Sequence, residues 1–433
     1  LSRAAVVGAG LSGLTAGYRL RQAGWDVEVF ESSAEVGGRV RTVARDGYLV
    51  DVGATALGAS YASYLNLAAE LGIREEIRPA SPYVGIHRDG RIHELRLDRM
   101  LTSGLTTRVL SPGAKLKLLR LGVDLARAVR AGQLDYLDMR KSAPLDTETA
   151  QAYALRALNE EIDTYLCSPI VRTMLIADTP KVSKVELFSG IANIFSAQIY
   201  ALAGGQGRLP RTLAEKLDVR VSTPVTHVAD RGAHVEVTVD GTVRTFDGCV
   251  ISTPLPVAAA ICPDRSGLLT PLNAALGYTT GLTVAVGYGR RPDTRAMLVQ
   301  LPTAEDPDVA LMFVDHNKAP DRAPAGKALI GTCWETDASR AWFDRPDADI
   351  VAHTDQSIRR VFGDLGPPEF SHVTRWERAL PLTGVGAYRL IGEFNAAVDP
   401  GDRIQFAGDY LSAAGQHTAI RFGTRAAEAL ARL

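Results

Sequence analysis

Apolar residues follow several different spacings along this chain of 433 residues. Near the start, Ala4-Ala5-Val6-Val7 is an unbroken apolar run that ends in glycines, the pattern of a strand buried on both faces. GAGLSG then reads as a tight turn, LTAGYRLRQAG as a helix with Gly24 just past its end, and WDVEVFE as a second strand. A βαβ unit is predicted over residues 4–31. From about Asp98 to Gly207 the spacing is mainly helical, with Ser111-Pro112 as a start signal ahead of KLKLLRLGVDLARAVRAG. Alternation returns after Pro210 in VRVSTPVTHV and HVEVTVDGTVRTF, with Asp240-Gly241 as a hairpin turn, and GCVISTP reads as another buried strand. LTVAVGYG, ALMFVDH and ALIGTCWE predict a second sheet across residues 280–335. A helix near Asp347 to Phe362, the segment VTRWERALP, the strand RIQFAGD and a closing helix complete the order.

One stretch needs a membrane check, because Leu187 to Gly207 carries no charged residue over 21 positions. Its apolar residues Leu187, Ile191, Ile194, Phe195, Ile199 and Leu202 fit a helical period, and its other positions include Ser, Asn, Gln and Gly. A buried helix beside a cavity is the expectation, rather than a membrane span. Lys115, Lys117, Arg120, Arg127 and Arg130 make one side of an earlier helix basic. A solvated helix face is the reading preferred over attachment to an anionic membrane.

Composition narrows the classes. A formal charge of −1 removes the basic excess that nucleic-acid binding usually needs. Cys167, Cys249, Cys262 and Cys333 form no CxxC pair and have no nearby His at ligand spacing, so no metal site is expected and a reduced, cytoplasmic setting is. The first residues enter a strand directly, leaving no room here for a signal peptide.

The turn carries chemistry. Gly8-x-Gly10-x-x-Gly13, with Leu11 and Ser12 inside it, lies between strand and helix, and Glu31 ends the next strand 18 positions beyond Gly13. Gly8 permits the turn, Gly10 lets backbone approach a pyrophosphate, Gly13 lets helix and strand close up, and Glu31 is placed to accept from an adenosine ribose. Gly37-Gly38-Arg39 follows closely enough to run a loop back over the same dinucleotide, with Arg39 offering planar donors to phosphate.

GAGLSGLTAGYRLRQAGWDVEVFESSAEVGGRVRT resembles the N-terminal signature of the flavin amine oxidase superfamily, and FAGDYLSAAGQHTAIRFGTRAAEAL resembles its C-terminal FAD motif. GGQGRLPRTLAEKL, VRVSTPVTHV, CVISTP and TRWERALPLTGVGAYRL fall between them in the family's order. The resemblance implies an α/β fold: an interrupted Rossmann-like FAD-binding domain over 1–80, 204–263 and 395–433. An α+β substrate domain with a mixed sheet over 81–203 and 264–394 accompanies it, helical over about 98–203. It further implies noncovalent FAD touched by Gly8, Gly10, Leu11, Ser12, Gly13, Gly38 and Arg39. Glu31 meets the ribose, the Val225 backbone the adenine, Trp376, Gly408 and Asp409 the middle of the cofactor, and amides near Ala419 and Ile420 the flavin pyrimidine ring.

Amine oxidases of this superfamily commonly place a lysine near flavin N5 and an aromatic pair beside the ring, yet TVAVGYGRRPDTRAMLVQLP contains no Lys. TRWERALPLTGVGAYRL is closer to the protoporphyrinogen oxidase segment, departing from it at Leu382-Thr383 and Ala387. The expectation is an oxidase or desaturase that takes hydride from a C–H bond of a small or cyclic, largely apolar substrate, with O2 as acceptor. Amine oxidation, porphyrinogen oxidation and a non-enzymatic relative of the GDP-dissociation inhibitor kind stand as alternatives, and a homodimer is left open. If the substrate is a ketone, a base must remove an α-proton, for which Tyr388, Tyr410 and His417 are the candidates.

Overall fold

A computed structural model describes residues 1–58, 61–135, 138–194 and 198–433, with Asn193 and Ile194 described through their backbone only. The N-terminal unit is β1 (Arg3–Val7), α1 (Leu11–Gln22) and β2 (Asp26–Phe30). It joins β3 (Asp218–Arg220), β4 (Gly248–Ile251) and β5 (Ile404–Phe406) in a five-stranded sheet ordered β3-β2-β1-β4-β5. Every pairing in it is parallel. Successive residues of β1 feed opposite cores: Ala4 and Val6 pack with Leu14, Leu20 and Val250, whereas Ala5 and Val7 pack with Phe246, Ile251 and Phe406. The sheet thus draws strands from three separated parts of the chain and closes over one glycine turn.

The second sheet has seven strands, in the order Pro368–Trp376, Gly281–Tyr288, Ala328–Trp334, Val309–Val314, Leu298–Gln300, Tyr83–Arg88 and Arg91–Arg96. It is mixed: Leu298–Gln300 pairs with residues 84–86 in parallel, and its other pairings are antiparallel. Gly281–Tyr288 is buried along its whole length. Asp240 and Gly241, both at positive φ (49° and 74°), make the predicted hairpin turn of a separate three-stranded sheet. VRVSTPVTHV does not form one strand, because β3 ends at Arg220, Ser222 takes φ 51°, and the chain restarts at Val225 in that other sheet.

The helical part includes α2 (Pro112–Arg130), α3 (Ala150–Ala157) and α4 (Lys184–Ile194). Ser111 Oγ caps α2 by accepting the Ala114 N–H at 3.2 Å, with Pro112 in the first turn. The single helix expected over Leu187–Gly207 is not formed. Helix α4 ends at Ile194, and Ile199–Leu202 is a strand paired with Leu57–Gly58 and Ile77–Pro79. Phe195 lies outside the described residues. The chain therefore rejoins strands of the N-terminal part before residue 204. Among the described residues, no helix is long and apolar enough to cross a membrane. Helix α5 (Ala387–Ala397) leads into β5, and α6 (Gln416–Leu430) closes the fold.

Candidate active site

The turn after β1 is set by backbone clearances. Gly8 has φ +101°, and a Cβ on Gly13 would stand 2.0 Å from the Gly8 carbonyl oxygen and 2.3 Å from Ser252 Oγ. Ser252 Oγ itself donates to the Val7 and Gly8 carbonyls at 2.9 and 3.0 Å, so α1 starts pressed against the ends of β1 and β4. Gly10 is different, because a Cβ there would meet nothing within 4 Å. It caps α1 without a side-chain partner, and the first turn holds no acidic residue. Open space at the positive end of a helix is what a pyrophosphate requires. Leu11 and Ser12 are buried in that first turn, and a Cβ on Gly423 of α6 would lie 2.3 Å from the Ser12 carbonyl oxygen. Ser12 therefore marks the close crossing of α1 and α6.

Other segments converge on the turn. Glu31 Oε2 accepts the Ala9 N–H at 2.7 Å and Oε1 the Ser33 N–H at 2.8 Å. The Thr223 N–H donates to the Glu31 carbonyl at 2.7 Å, which leads the chain past this carboxylate into Val225. The Gly37 N–H donates to the Ala9 carbonyl at 2.8 Å, and a Cβ on Gly38 would lie 3.3 Å from Gly10 Cα. Arg39 then joins distant parts of the chain, with Nη1 donating to the Ala379 carbonyl at 2.8 Å and Nη2 to Asp409 Oδ1 at 2.9 Å. Gly408 needs its missing side chain too, since a Cβ would stand 2.5 Å from Tyr410 Cε1. Trp376 Nε1 donates to the Val52 carbonyl at 2.8 Å, and its ring lies under the Arg41 guanidinium at 5.2 Å. Its indole anchors the wall strand rather than pointing a donor at the turn.

The start of the last helix fixes which amides are free. Helix α6 begins at Gln416, and its first intrahelical bond from this end runs from the Ala419 N–H to the Gly415 carbonyl at 3.0 Å. The N-terminal amides are those of Gln416 to Thr418, while Ile420 lies a full turn inside and is buried. Gly415 is the residue that precedes this helix, and Ala419 is one turn in from it. The first turn carries no acidic residue and no side-chain cap, matching α1.

The three base candidates sit in unlike surroundings. Tyr410 is buried, its hydroxyl has no hydrogen-bond partner among the described residues, and burial, then Tyr278 and Asp409, push its pKa well above the usual phenol value. It stays protonated. Tyr388 opens α5 and is buried, with its hydroxyl donating to Glu186 and its N–H to Asp146 Oδ2 at 2.9 Å. His417 stacks on Tyr61 with ring centroids 4.4 Å apart, and burial, then Arg421, lower its pKa to about 4. It is an unprotonated imidazole at physiological pH and stands at the start of α6.

Two buried clusters escaped the sequence reading. Asp51 Oδ1 accepts from Thr42 Oγ1 at 2.7 Å and the Gln206 N–H at 2.8 Å. Its Oδ2 faces Lys318 Nζ at 3.2 Å and Arg322 Nη2 at 3.3 Å. Lys318 also reaches Asp315 Oδ1 at 2.6 Å. The second cluster is Glu186, whose Oε1 accepts from Thr383 Oγ1 at 2.5 Å and from Tyr388, and whose pKa burial raises. The interruption of an apolar run by Glu186 in VELFSGIANI was the available signal; Asp51 had none.

With this geometry the comparisons agree. A sequence model of flavin-containing amine oxidoreductases matches residues 11–431. Coproporphyrinogen III oxidase of Bacillus subtilis is 21% identical over 91% of this chain and 90% of its own length. A 4,4'-diapophytoene desaturase of Staphylococcus aureus is 23% identical over 60% of this chain and 57% of its own. The solved structure of cyclohexylamine oxidase from Brevibacterium oxydans shares the fold at TM-score 0.78, covering 100% of this chain and 99% of its own, at 19% identity. The chain belongs to the flavin-containing amine oxidoreductase family and is an FAD-dependent oxidoreductase.

Proposed function

We propose that this enzyme oxidises a C–H bond of a small or cyclic, largely apolar substrate in a CH–CH oxidase or desaturase reaction, with O2 reoxidising the cofactor. The observation that carries the reading concerns lysine. The strand Gly281–Tyr288 is buried throughout and contains none, and the lysine buried beside that sheet, Lys318, is held by Asp51 and Asp315. Where the chain departs from the protoporphyrinogen oxidase segment, Thr383 is turned to Glu186 and Ala387 is buried at the start of α5.

Noncovalent FAD fits the residues present. The open approach at Gly10, the uncapped start of α1, the Gly37-Gly38 loop and Glu31 make a cradle for its nucleotide end, with Val225 nearby through Thr223. Arg39, Gly408 and Asp409 continue it, and the amides of Gln416 to Thr418 form the far end, with Trp376 supporting the wall. Bound FAD supplies a hydride acceptor. The chain's own residues orient the substrate, exclude water and, for a ketone, take the α-proton, a role we assign to neutral His417 Nδ1 or Nε2 ahead of Tyr388 and Tyr410. A second reading, porphyrinogen oxidation, is favoured by the Bacillus relative, which matches along nearly its full length.

One experiment separates these readings: anaerobic bleaching of the flavin by cyclic ketones, amines and a porphyrinogen in parallel. Bleaching by a ketone, with a rate that falls in His417→Gln, supports the first reading; bleaching by amines alone overturns it.

A further inference from the structure

In a parallel α/β sheet, ligands cross the edge formed by the carboxyl ends of the strands. Here β1 runs out into Gly8 at that edge, β4 into Ser252 and Thr253, and β5 into Gly408 and Asp409. Three hydroxyls near it have protons that the chain leaves unused. Tyr410, one residue past Asp409, is buried, and its hydroxyl has no hydrogen-bond partner among the described residues; nor has the buried Thr253 Oγ1. The Tyr278 hydroxyl accepts the Leu255 N–H at 3.1 Å, two residues past Thr253, and its own proton has no acceptor among the described residues. Buried polar groups are normally paired, as Tyr288 shows in the second sheet by donating to Asp355 at 2.8 Å.

The two phenols share one neighbourhood with the Arg39–Asp409 ion pair. Burial is the main cause that raises the pKa of both; the charges that act next are those of Tyr278 and Asp409 on Tyr410, and of Asp409 on Tyr278. Both phenols therefore keep their protons and serve as donors. Their places are fixed from two sides. The Tyr410 ring fills the space that Gly408 leaves, and Gly277–Tyr278 pairs with Pro381–Leu382, which follows the Ala379 carbonyl that receives Arg39 Nη1. Arg39 has its two terminal nitrogens already engaged, Nη1 by Ala379 and Nη2 by Asp409. An oxygen-rich chain laid across this edge needs further donors.

We propose that the Tyr410 and Tyr278 hydroxyls are cofactor-binding donors, giving their protons to oxygens of the FAD ribityl-diphosphate chain where it passes the Arg39–Asp409 pair. The inference rests on FAD as the cofactor and is independent of which substrate is oxidised. Packing alone does not call for these hydroxyls, since phenylalanine at 410 would fill the same space without burying an unpaired polar group. The proposal gives Tyr410 a task that suits a phenol held in its protonated form, which a base is not.

The test follows FAD release from the holoenzyme, read as the rise of free flavin fluorescence after dilution, in Tyr410→Phe, Tyr278→Phe and Tyr288→Phe. The third variant is the control: it breaks the bond to Asp355 in the second sheet and is expected to lower the thermal midpoint while leaving FAD release unchanged. Release about tenfold faster than in the parent is expected in each of the other two, with an unaltered far-ultraviolet circular dichroism spectrum, because each keeps its ring and loses only a donor. Unchanged release in both variants overturns the proposal and leaves water as the partner of these hydroxyls. Equal acceleration in all three overturns it as well, since FAD loss would then follow general stability rather than a contact at this edge.

Discussion

The glycine turn and the Asp51 cluster are built in opposite ways. At the turn, backbone meets backbone: Gly13 lies against the Gly8 carbonyl, Gly37 bonds Ala9, and Gly38 touches Gly10. Around Asp51, side chains from distant segments meet as charges, with Lys318 and Arg322 both on Oδ2. A backbone-built site depends on the absence of side chains, and a charge-built one on every partner being present. Their failures should differ accordingly.

The largest effect is expected at the charged cluster. Lys318→Met leaves Asp315 and Asp51 buried with less positive charge beside them, and about 4 kcal/mol of stability should be lost. Urea unfolding of the purified protein measures this; a loss below about 1 kcal/mol would mean that Arg322 alone suffices for Asp51. Next comes the turn. Gly13→Ala forces a Cβ to 2.0 Å from a carbonyl oxygen and should cost about 3 kcal/mol, with the protein purifying free of flavin. Gly10→Ala should leave apoprotein stability within about 1 kcal/mol, because its Cβ meets nothing, while FAD affinity falls. Equal destabilisation by the two glycine variants would erase the distinction between a packing glycine and an approach glycine.

The same difference decides what could be read in advance. The turn was legible because its residues lie within a few positions of each other and each glycine answers a local steric need. The runs around β1, β2, β4 and β5 were legible as strands from their apolar residues and bounding glycine or proline, whereas their order in the sheet rests on long-range pairing that no local run encodes. The 187–207 stretch misled because Leu187 and Ile191 truly share a helix, whereas Ile199 and Leu202 continue the same spacing by coincidence in a four-residue strand. Short apolar runs carry too few positions to separate the two periods. Asp51 and Lys318 are 267 positions apart, and Tyr388 and Glu186 are 202 apart, so no local pattern announces either pair.

Glu186 offers a smaller, pH-dependent contrast with Asp51. Burial raises its pKa, so the folded state holds a proton there that the unfolded state releases above the ordinary carboxylate range. Stability should therefore decline as pH rises through that window towards the folded pKa, and Glu186→Gln should flatten the decline. At low pH the variant should lie within about 1 kcal/mol of the parent, since an amide oxygen can still accept from Tyr388 and Thr383. Denaturation midpoints across the pH range decide it; a decline that persists in Glu186→Gln would place the responsible proton elsewhere.

The smallest effect has the opposite sign and belongs to the start of α6. His417 titrates at about 4 in the folded chain because burial, and then Arg421, disfavour its charged form. The unfolded state takes up a proton near the ordinary histidine value of about 6.5, so between these limits it binds more protons than the folded state. Stability must then fall as pH drops from about 6.5 towards 4, by an amount that His316, lowered to about 4 by its own burial, shares. His417→Gln should reduce the acid-side slope of stability against pH by up to about one proton and leave stability near pH 8 almost unchanged. An unaltered slope would mean that His417 charges as readily folded as unfolded. It would then be cationic over the mildly acidic range and unable to accept an α-proton there, and flavin reduction by a ketone should fall away below about pH 6.5.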